Sequence, residues 1–295
     1  MNRVETSTSG PILPSVVAVI LSLFLTACSS SVSPPSGGGV DYQVAKVMFK
    51  QGNLDRVITL TDTMASAKGN SPEALEARVL RAVIFSSRIQ AYKELADTYK
   101  KGSQAARNPQ FVATYDRRRS NAIQYAGDAT LSLGEVVLQF VSSPEFPKEV
   151  TLDAPWPSVE GPEEISDLTR ISHGMWVPEN QQDNIALDAQ HKAVDEVLSE
   201  LVGGDRNKAR TEMQAGPVRL DGLDFALFLE EQMVEGLKVF GPNYLANPGQ
   251  LKTLCDVADR MASTIEKMLK ENPDKAKEAE FKKLQKQIAD AKKFT

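Results

Sequence analysis

The sequence predicts an all-α protein: an irregular helical bundle or a short solenoid of helical hairpins, with one long loop that contains prolines and tryptophans. Apolar residues recur at steps of three and four along most of the chain, a spacing that places them on one face of a helix. One such stripe consists of Ala226, Leu229, Met233, Leu237 and Phe240. Alternating patterns typical of strands are scarce, and Lys148 to Leu152 is the one short candidate.

Helix starts are marked by capping side chains that precede a proline, at Ser71-Pro72, Asn108-Pro109 and Asn247-Pro248. The capping oxygen accepts a hydrogen bond from the first turn, where proline is tolerated because its missing N–H would lack a partner anyway. Apolar residues on one side also predict long helices over 87–101 and 115–141.

The first 27 residues differ from the rest of the chain. Val16 to Leu25 is a run of ten residues with a single hydroxyl, too short to cross a bilayer as a helix and typical of a signal peptide. The run ends in Leu25-Thr26-Ala27-Cys28, and three serines follow. These four residues resemble the lipobox of bacterial lipoproteins. The alternatives are an ordinary secretory signal and an uncleaved anchor with an incidental cysteine.

The resemblance implies a covalent lipid and no other cofactor. In such lipoproteins a peptidase cleaves before the cysteine, here after Ala27, and Cys28 would carry a diacylglyceryl group and a further acyl chain on its amine. Two or three acyl chains give lasting membrane attachment. The residue after the cysteine is Ser29 rather than aspartate. In a Gram-negative host, the resemblance therefore implies an anchor in the outer membrane that faces the periplasm. Residues 28–41 are rich in Ser, Pro and Gly and are predicted to form a flexible tether.

Residues 42–141 are predicted to form an N-terminal helical region. Lys50-Gln51-Gly52, followed by Asp55, resembles the turn between the paired helices of a tetratricopeptide repeat. Val57 stands where that family prefers alanine, and Ser71-Pro72 resembles the start of a following repeat. The resemblance covers 42–87. Either degenerate repeats continue beyond it, or a single repeat-like hairpin opens an irregular bundle.

Residues 142–183 form the irregular Pro/Trp segment, with six of the 16 prolines and both tryptophans. Loops of this length are usually functional or disordered, and the favourable burial of two tryptophans argues against disorder. In one hypothesis Trp156, His173 and Trp176 line a groove that binds a peptide, a glycan, a small ligand or a protein partner. In the other, which we favour, the segment is a structural connection whose tryptophans close the ends of the helical layers.

Residues 184–295 are predicted to form a C-terminal helical region. His191 shares a helical stripe with Leu187 and Val194, so we expect a hydrogen-bonded core histidine. Cys255 lies within helical spacing, and we expect a buried, unreactive thiol. The charged tail 272–295 has a thin apolar stripe, which describes an exposed capping helix or a partner-binding one.

Composition argues against several classes of function. A formal net charge of −5 is unlike the basic footprint of a nucleic-acid binder, and two histidines without a Cys-x-x-Cys motif argue against a metal site. The chain carries no serine-hydrolase, phosphate-loop, zinc-peptidase or dinucleotide motif. Carboxylate pairs such as Glu230-Glu231 give no sign of the burial that acid catalysis requires. We therefore expect a protein that is not an enzyme.

Charge is uneven along the chain. Residues 84–119 contain eight Lys or Arg, including the triplet 117–119, whereas 145–167 contains seven acids and one lysine. We expect these two stretches to attract one another. The arginine triplet would otherwise be a solvated face or a contact for lipid headgroups and phosphates.

Together these observations predict a membrane-anchored periplasmic scaffold or adaptor that holds another envelope protein, because repeat-type helical bodies expose extended surfaces. The alternative is a helical lipoprotein that binds a solute or ligand and works with a transport system. A deep apolar pocket near Trp156 and Trp176 would favour that alternative.

Overall fold

The computed structural model describes residues 38–143, 145–159, 161–162, 164–241 and 244–295. Within these ranges the chain folds as the expected all-α bundle, with ten α-helices, a C-terminal 3-10 turn and one two-stranded sheet. The helices are α1 (Gly38–Lys50), α2 (Leu54–Ala65), α3 (Pro72–Ala105), α4 (Pro109–Val141), α5 (Ser166–Ser172), α6 (Glu179–Leu201), α7 (Arg206–Ala215), α8 (Gly222–Leu237), α9 (Pro248–Glu271) and α10 (Lys275–Ala291). The strands are β1 (Glu149–Leu152) and β2 (Val218–Asp221).

Helix α1 begins inside the region 28–41 that was predicted to be a tether. Tyr42, Ala45 and Phe49 are buried along one face, and this burial stabilises the helix close to its start. The predicted signal peptide, Cys28 and the remainder of the predicted tether lie outside the described residues.

Helices α1 and α2 form a hairpin where the sequence resembles a tetratricopeptide repeat. Gly52 has a φ of +75°, a conformation that glycine adopts without steric cost. The Asn53 side chain accepts a hydrogen bond from the N–H of Arg56 and caps α2. No further turn follows at repeat spacing, because α3 continues for 34 residues. Of the two alternatives, the structure has the single hairpin that opens an irregular bundle.

Helix α3 lies in the middle of the bundle. Every residue from Ala77 to Ser87 is buried, as expected for a helix that is enclosed on all sides. The buried Arg78 guanidinium donates to the carbonyls of Ala65 and Ala67, so its polar atoms have partners in the core.

Two hydrophobic clusters lie along α3. The first surrounds its N-terminal half and contains residues of α1, α2, α8 and α9. The second surrounds its C-terminal half and contains Tyr99, Tyr115, Ile171 and Ile185. A helix of 34 residues is about 51 Å long, so the turn between α3 and α4 is far from the start of α3.

The segment 142–183 contains more regular structure than the sequence indicated. Strand β1 forms at the predicted candidate and pairs antiparallel with β2, with Glu149 opposite Asp221. The remainder includes α5 and the first turn of α6. Helix α5 forms because burial of Leu168 and Ile171 in the second cluster stabilises its two turns.

The C-terminal region follows most of its predictions. The stripe from Ala226 to Phe240 is buried, and α10 packs its apolar stripe onto the bundle as a capping helix. Leu187 is the exception at 47 % exposed, because α6 turns Ile185 and Ala189 inwards instead. Cys255 is buried as expected, and burial raises the pKa of its thiol. No helix in the described part of the chain is long and apolar enough to cross a bilayer.

Candidate functional site

Trp156 is a core residue. Its side chain is 5 % exposed and belongs to the first hydrophobic cluster, with the Arg210 guanidinium 5.6 Å from the centre of its ring. The segment that carries it is fixed to α1, where Lys46 forms an ion pair of 2.9 Å with Asp153 and the N–H of Ser158 donates to the carbonyl of Lys50. This position fits the structural hypothesis for Trp156.

Trp176 lies in a different environment. Its ring stacks on Phe111 of α4, with 4.8 Å between the ring centres and 23° between their planes. Phe111 packs against the second hydrophobic cluster, and the Trp176 side chain is half-buried. The Arg170 guanidinium donates a hydrogen bond of 3.3 Å to the carbonyl of Trp176. Trp176 therefore has one ring face fixed by the fold and retains exposed surface.

His173 ends helix α5 and is exposed to solvent. The two residues after it carry the loop onto the turn between α3 and α4. Gly174 has a φ of +72°, and a Cβ at this position would lie 2.5 Å from the backbone nitrogen of Ala106. The Tyr115 hydroxyl donates to the carbonyl of Met175. The loop is thus held against the turn by close backbone packing and a buried tyrosine.

Two of the three predicted site residues therefore lie in one short loop, and the third lies elsewhere in the fold. His173 and Trp176 lie in one loop on the α3–α4 turn, whereas Trp156 belongs to the other hydrophobic cluster. We call the surface around this turn the α3–α4 end. It comprises Lys101, Arg107, Phe111, His173, Met175 and Trp176.

The charges near this end are only partly neutralised. Arg117 and Arg118 form ion pairs, each of 2.7 Å, with Glu179 and Asp183 at the start of α6. Arg170 pairs with Asp167 at 2.9 Å. Lys100, Lys101 and Arg107 are exposed and have no ion pair among the described residues.

The expected attraction between 84–119 and 145–167 takes a different form. Arg117 and Arg118 pair with α6 rather than with the acidic stretch. Asp153 and Glu149 of that stretch pair instead with Lys46 of α1 and Arg219 of β2. The sheet and α1 hold this segment, so these two acids are matched by nearer bases.

No protein-family model, curated protein or solved structure matches this chain.

Glu230 is the main residue that the sequence reasoning missed. The adjacent pair Glu230-Glu231 was expected to show no burial, yet Glu230 is 0 % exposed and neither of its carboxyl oxygens has a hydrogen-bond partner among the described residues. Burial, with Asp259 nearby, raises the pKa of Glu230 to about 8. A signal was present, because five consecutive apolar residues precede it, from Phe225 to Leu229.

A second group of carboxylates lies where α6, α8 and α10 meet. Partial burial and the neighbouring Glu231 raise the pKa of Glu200 to about 7. Gln232 donates a hydrogen bond of 3.4 Å to Glu200 and accepts one from Gln90, which links α3, α8 and α6. Among the described residues, no group of three or more His, Cys, Asp or Glu side chains is arranged to hold a metal ion.

A cleft of about 750 Å³ lies between the end of α4 and the α9–α10 junction. Its walls mix apolar side chains such as Phe140 and Met268 with charged ones such as Lys267 and Glu271. Neither tryptophan lines this cleft. The predicted site residues and this cleft are therefore separate features.

Proposed function

We propose that the protein is a lipid-anchored adaptor of the bacterial envelope, attached to a membrane through Cys28 and offering the α3–α4 end of its helical body to a protein partner. The lipobox-like residues Leu25 to Cys28 support the anchor. The outer membrane, facing the periplasm, is the proposed location because serine follows the cysteine.

The distance between α1 and the α3–α4 end is the observation that carries this proposal. The Tyr42 hydroxyl donates to the Asp153 carbonyl, and Lys46 pairs with the Asp153 carboxylate. Both Lys46 and Asp153 act electrostatically on Glu76, near the start of α3. Helix α1 therefore lies beside the first turns of α3. At 1.5 Å per residue, the α3–α4 turn is about 45 Å further along that helix. The end that is offered to a partner is therefore remote from the helix that follows the proposed lipid anchor.

The anchor is tested by acylation rather than by fractionation alone, because an uncleaved signal peptide would also hold the protein at a membrane. Cells that express the full chain are labelled with palmitate, and the mass of the N-terminal peptide is measured by mass spectrometry. We expect label on the wild type and on Cys255→Ala, the matched control, and none on Cys28→Ala. Label on Cys28→Ala, or an unmodified Cys28 in the wild type, would contradict the proposal.

The adaptor role is tested by purifying the tagged, lipidated protein from detergent-solubilised envelopes and identifying what travels with it. We expect an envelope protein at constant stoichiometry. A monomer that carries only a small molecule would refute the adaptor and favour the alternative, a ligand-binding lipoprotein that works with a transport system.

A further inference from the structure

We propose that the α3–α4 end binds an acidic segment of the partner protein, one in which carboxylates flank an apolar side chain. This inference rests on the adaptor function proposed above and names the chemistry of the partner. It uses two of the three residues that the sequence singled out, His173 and Trp176, together with the turn on which they lie.

Charge gives the first argument. Two segments meet at this end, 100–116 and 167–178, and together they contain four Lys or Arg, one histidine and two acids, of which Asp167 pairs with Arg170. This is a local excess of positive charge in a chain whose net charge is −5. The arginines just outside the turn are neutralised by α6, whereas Lys100, Lys101 and Arg107 have no ion pair among the described residues. The unmatched positive charge of this end therefore lies at the turn itself, where it complements an acidic partner.

Exposed apolar surface gives the second argument. Met175 is 46 % exposed, and the stacked rings of Trp176 and Phe111 are both half-buried beside it. Aromatic side chains, methionine and arginine are enriched in protein interfaces. An apolar side chain of the partner can cover this patch while carboxylates on either side meet the lysines and Arg107.

The surface is also preorganised. Gly174 packs directly on the backbone of Ala105 and Ala106, and the Gly102 backbone closely approaches the Ile171 carbonyl. The Tyr115 hydroxyl holds the carbonyl of Met175. Because these contacts fix the loop before a partner binds, little conformational entropy is lost on binding.

The shape of the apolar patch favours a protein over a membrane as the occupant. Trp176 and Phe111 are stacked on each other and half-buried, so their rings do not project from the surface as a side chain that inserts into lipid must. An apolar side chain of a protein partner can cover these rings where they lie.

Site-specific photo-cross-linking in cells tests the inference on the lipidated full chain. A benzophenone amino acid is placed at position 107 and, as the control, at position 283 on the exposed face of α10. We expect position 107 to cross-link to an envelope protein through a segment with a surplus of Asp and Glu, and position 283 not to do so. A cross-linked segment without that surplus would overturn the inference.

A synthetic peptide of the cross-linked segment then serves as the probe, with its binding to the purified full chain followed by fluorescence anisotropy. Reversing Lys101 and Arg107 together to Glu should weaken binding about tenfold and reduce its salt dependence. Reversing Lys282 and Lys283 to Glu makes the same change in net charge on α10 and should leave binding unchanged. Equal effects of the two double variants would refute the docking surface, provided that circular dichroism shows both variants folded.

Two outcomes separate this inference from the function on which it rests. If envelope purification recovers a stoichiometric protein that the Lys101/Arg107 reversal does not release, the adaptor stands and the docking surface is wrong. If no protein is recovered, both are wrong. If vesicles of phosphatidylglycerol and phosphatidylethanolamine bind the chain through Lys101 and Arg107 while the peptide does not, a membrane replaces the protein segment as the occupant.

Discussion

His191 and Gly52 are in direct contact although 139 residues separate them. Nε2 of His191 lies 3.4 Å from the carbonyl oxygen of Gly52, and the ring occupies the space that a Cβ at position 52 would fill. The hairpin α1–α2 is thereby joined to α6 at its turn. The expected role of His191 as a hydrogen-bonded core residue is confirmed.

Gly52→Ala is expected to destabilise the fold by about 3 kcal/mol, from the strain of a left-handed alanine and the displacement of a buried ring. The new Cβ would lie 2.7 Å from Nε2 of His191. Gly69→Ala is the matched control, because its φ is +88° but, among the described residues other than its chain neighbours, none has an atom within 4 Å of a Cβ placed there. We expect that variant to lose only about 1 kcal/mol, the cost of strain alone. If both variants lose the same free energy of unfolding in urea, the contact with His191 does not contribute to stability.

Glu230 makes stability depend on pH. Its pKa is about 8 in the fold and near 4.5 in the unfolded chain, so between these values the folded state holds a proton that the unfolded state has released. Stability therefore falls as pH rises from 4.5 to 8 and is level above that range. At about 1.4 kcal/mol per pH unit, this amounts to about 3 kcal/mol at pH 7.

Glu230→Gln is expected to remove this pH dependence and to raise the free energy of unfolding at pH 7 by up to about 3 kcal/mol. Denaturant unfolding at several pH values between 5 and 8 measures both effects. Glu271→Gln, on the exposed end of α9, should leave the slope unchanged. A Glu230→Gln variant that keeps the wild-type slope would show that Glu230 is already ionised in the folded protein.

Local signals predicted much of the fold, and tertiary contacts decided the remainder. Ser71, Asn108 and Asn247 each cap a helix that has proline in its first turn, as their side chains and the following prolines indicated. The burial of Glu230 had only an indirect signal, the apolar run before it, because the burial itself depends on α8 being packed against several helices at once. Periodicity identifies the one apolar face of a helix that is exposed on its other side. A helix that is enclosed on all sides buries every face, so periodicity does not tell its buried positions from exposed ones.

The sequence also could not predict that the two tryptophans lie in different parts of the fold. Trp156 and Trp176 share one proline-rich segment, and nothing local shows that Trp156 joins the first hydrophobic cluster while Trp176 stacks on Phe111 of α4. Such positions depend on long-range pairing, such as that of β1 with β2.

Gly161 attaches the segment that contains Trp156, residues 153–159, to α6. Replacing Gly161 should therefore release this segment. Its N–H donates a hydrogen bond of 3.0 Å to the buried Asp195, and a Cβ would lie 2.1 Å from the Cα of Lys192. We expect Gly161→Ala to cost more than about 2 kcal/mol and to speed hydrogen exchange in 153–159. Gly249→Ala, whose Cβ would make only an ordinary contact of 3.7 Å with Oδ1 of Asn247, should do neither. Unchanged exchange in Gly161→Ala would show that α6 does not hold the segment.

The two tryptophans should differ in their accessibility to a quencher. Trp156 is 5 % exposed and lies under Arg210, whereas Trp176 is half-buried at the α3–α4 end. Acrylamide should therefore quench the emission of Trp156→Phe, which retains Trp176, several-fold more strongly than that of Trp176→Phe. Phenylalanine preserves most of the buried area in both variants, so each is expected to fold, and near-ultraviolet circular dichroism checks this. If the two variants are quenched equally, Trp176 is not available to a partner, and the α3–α4 end loses the apolar half of its proposed binding surface.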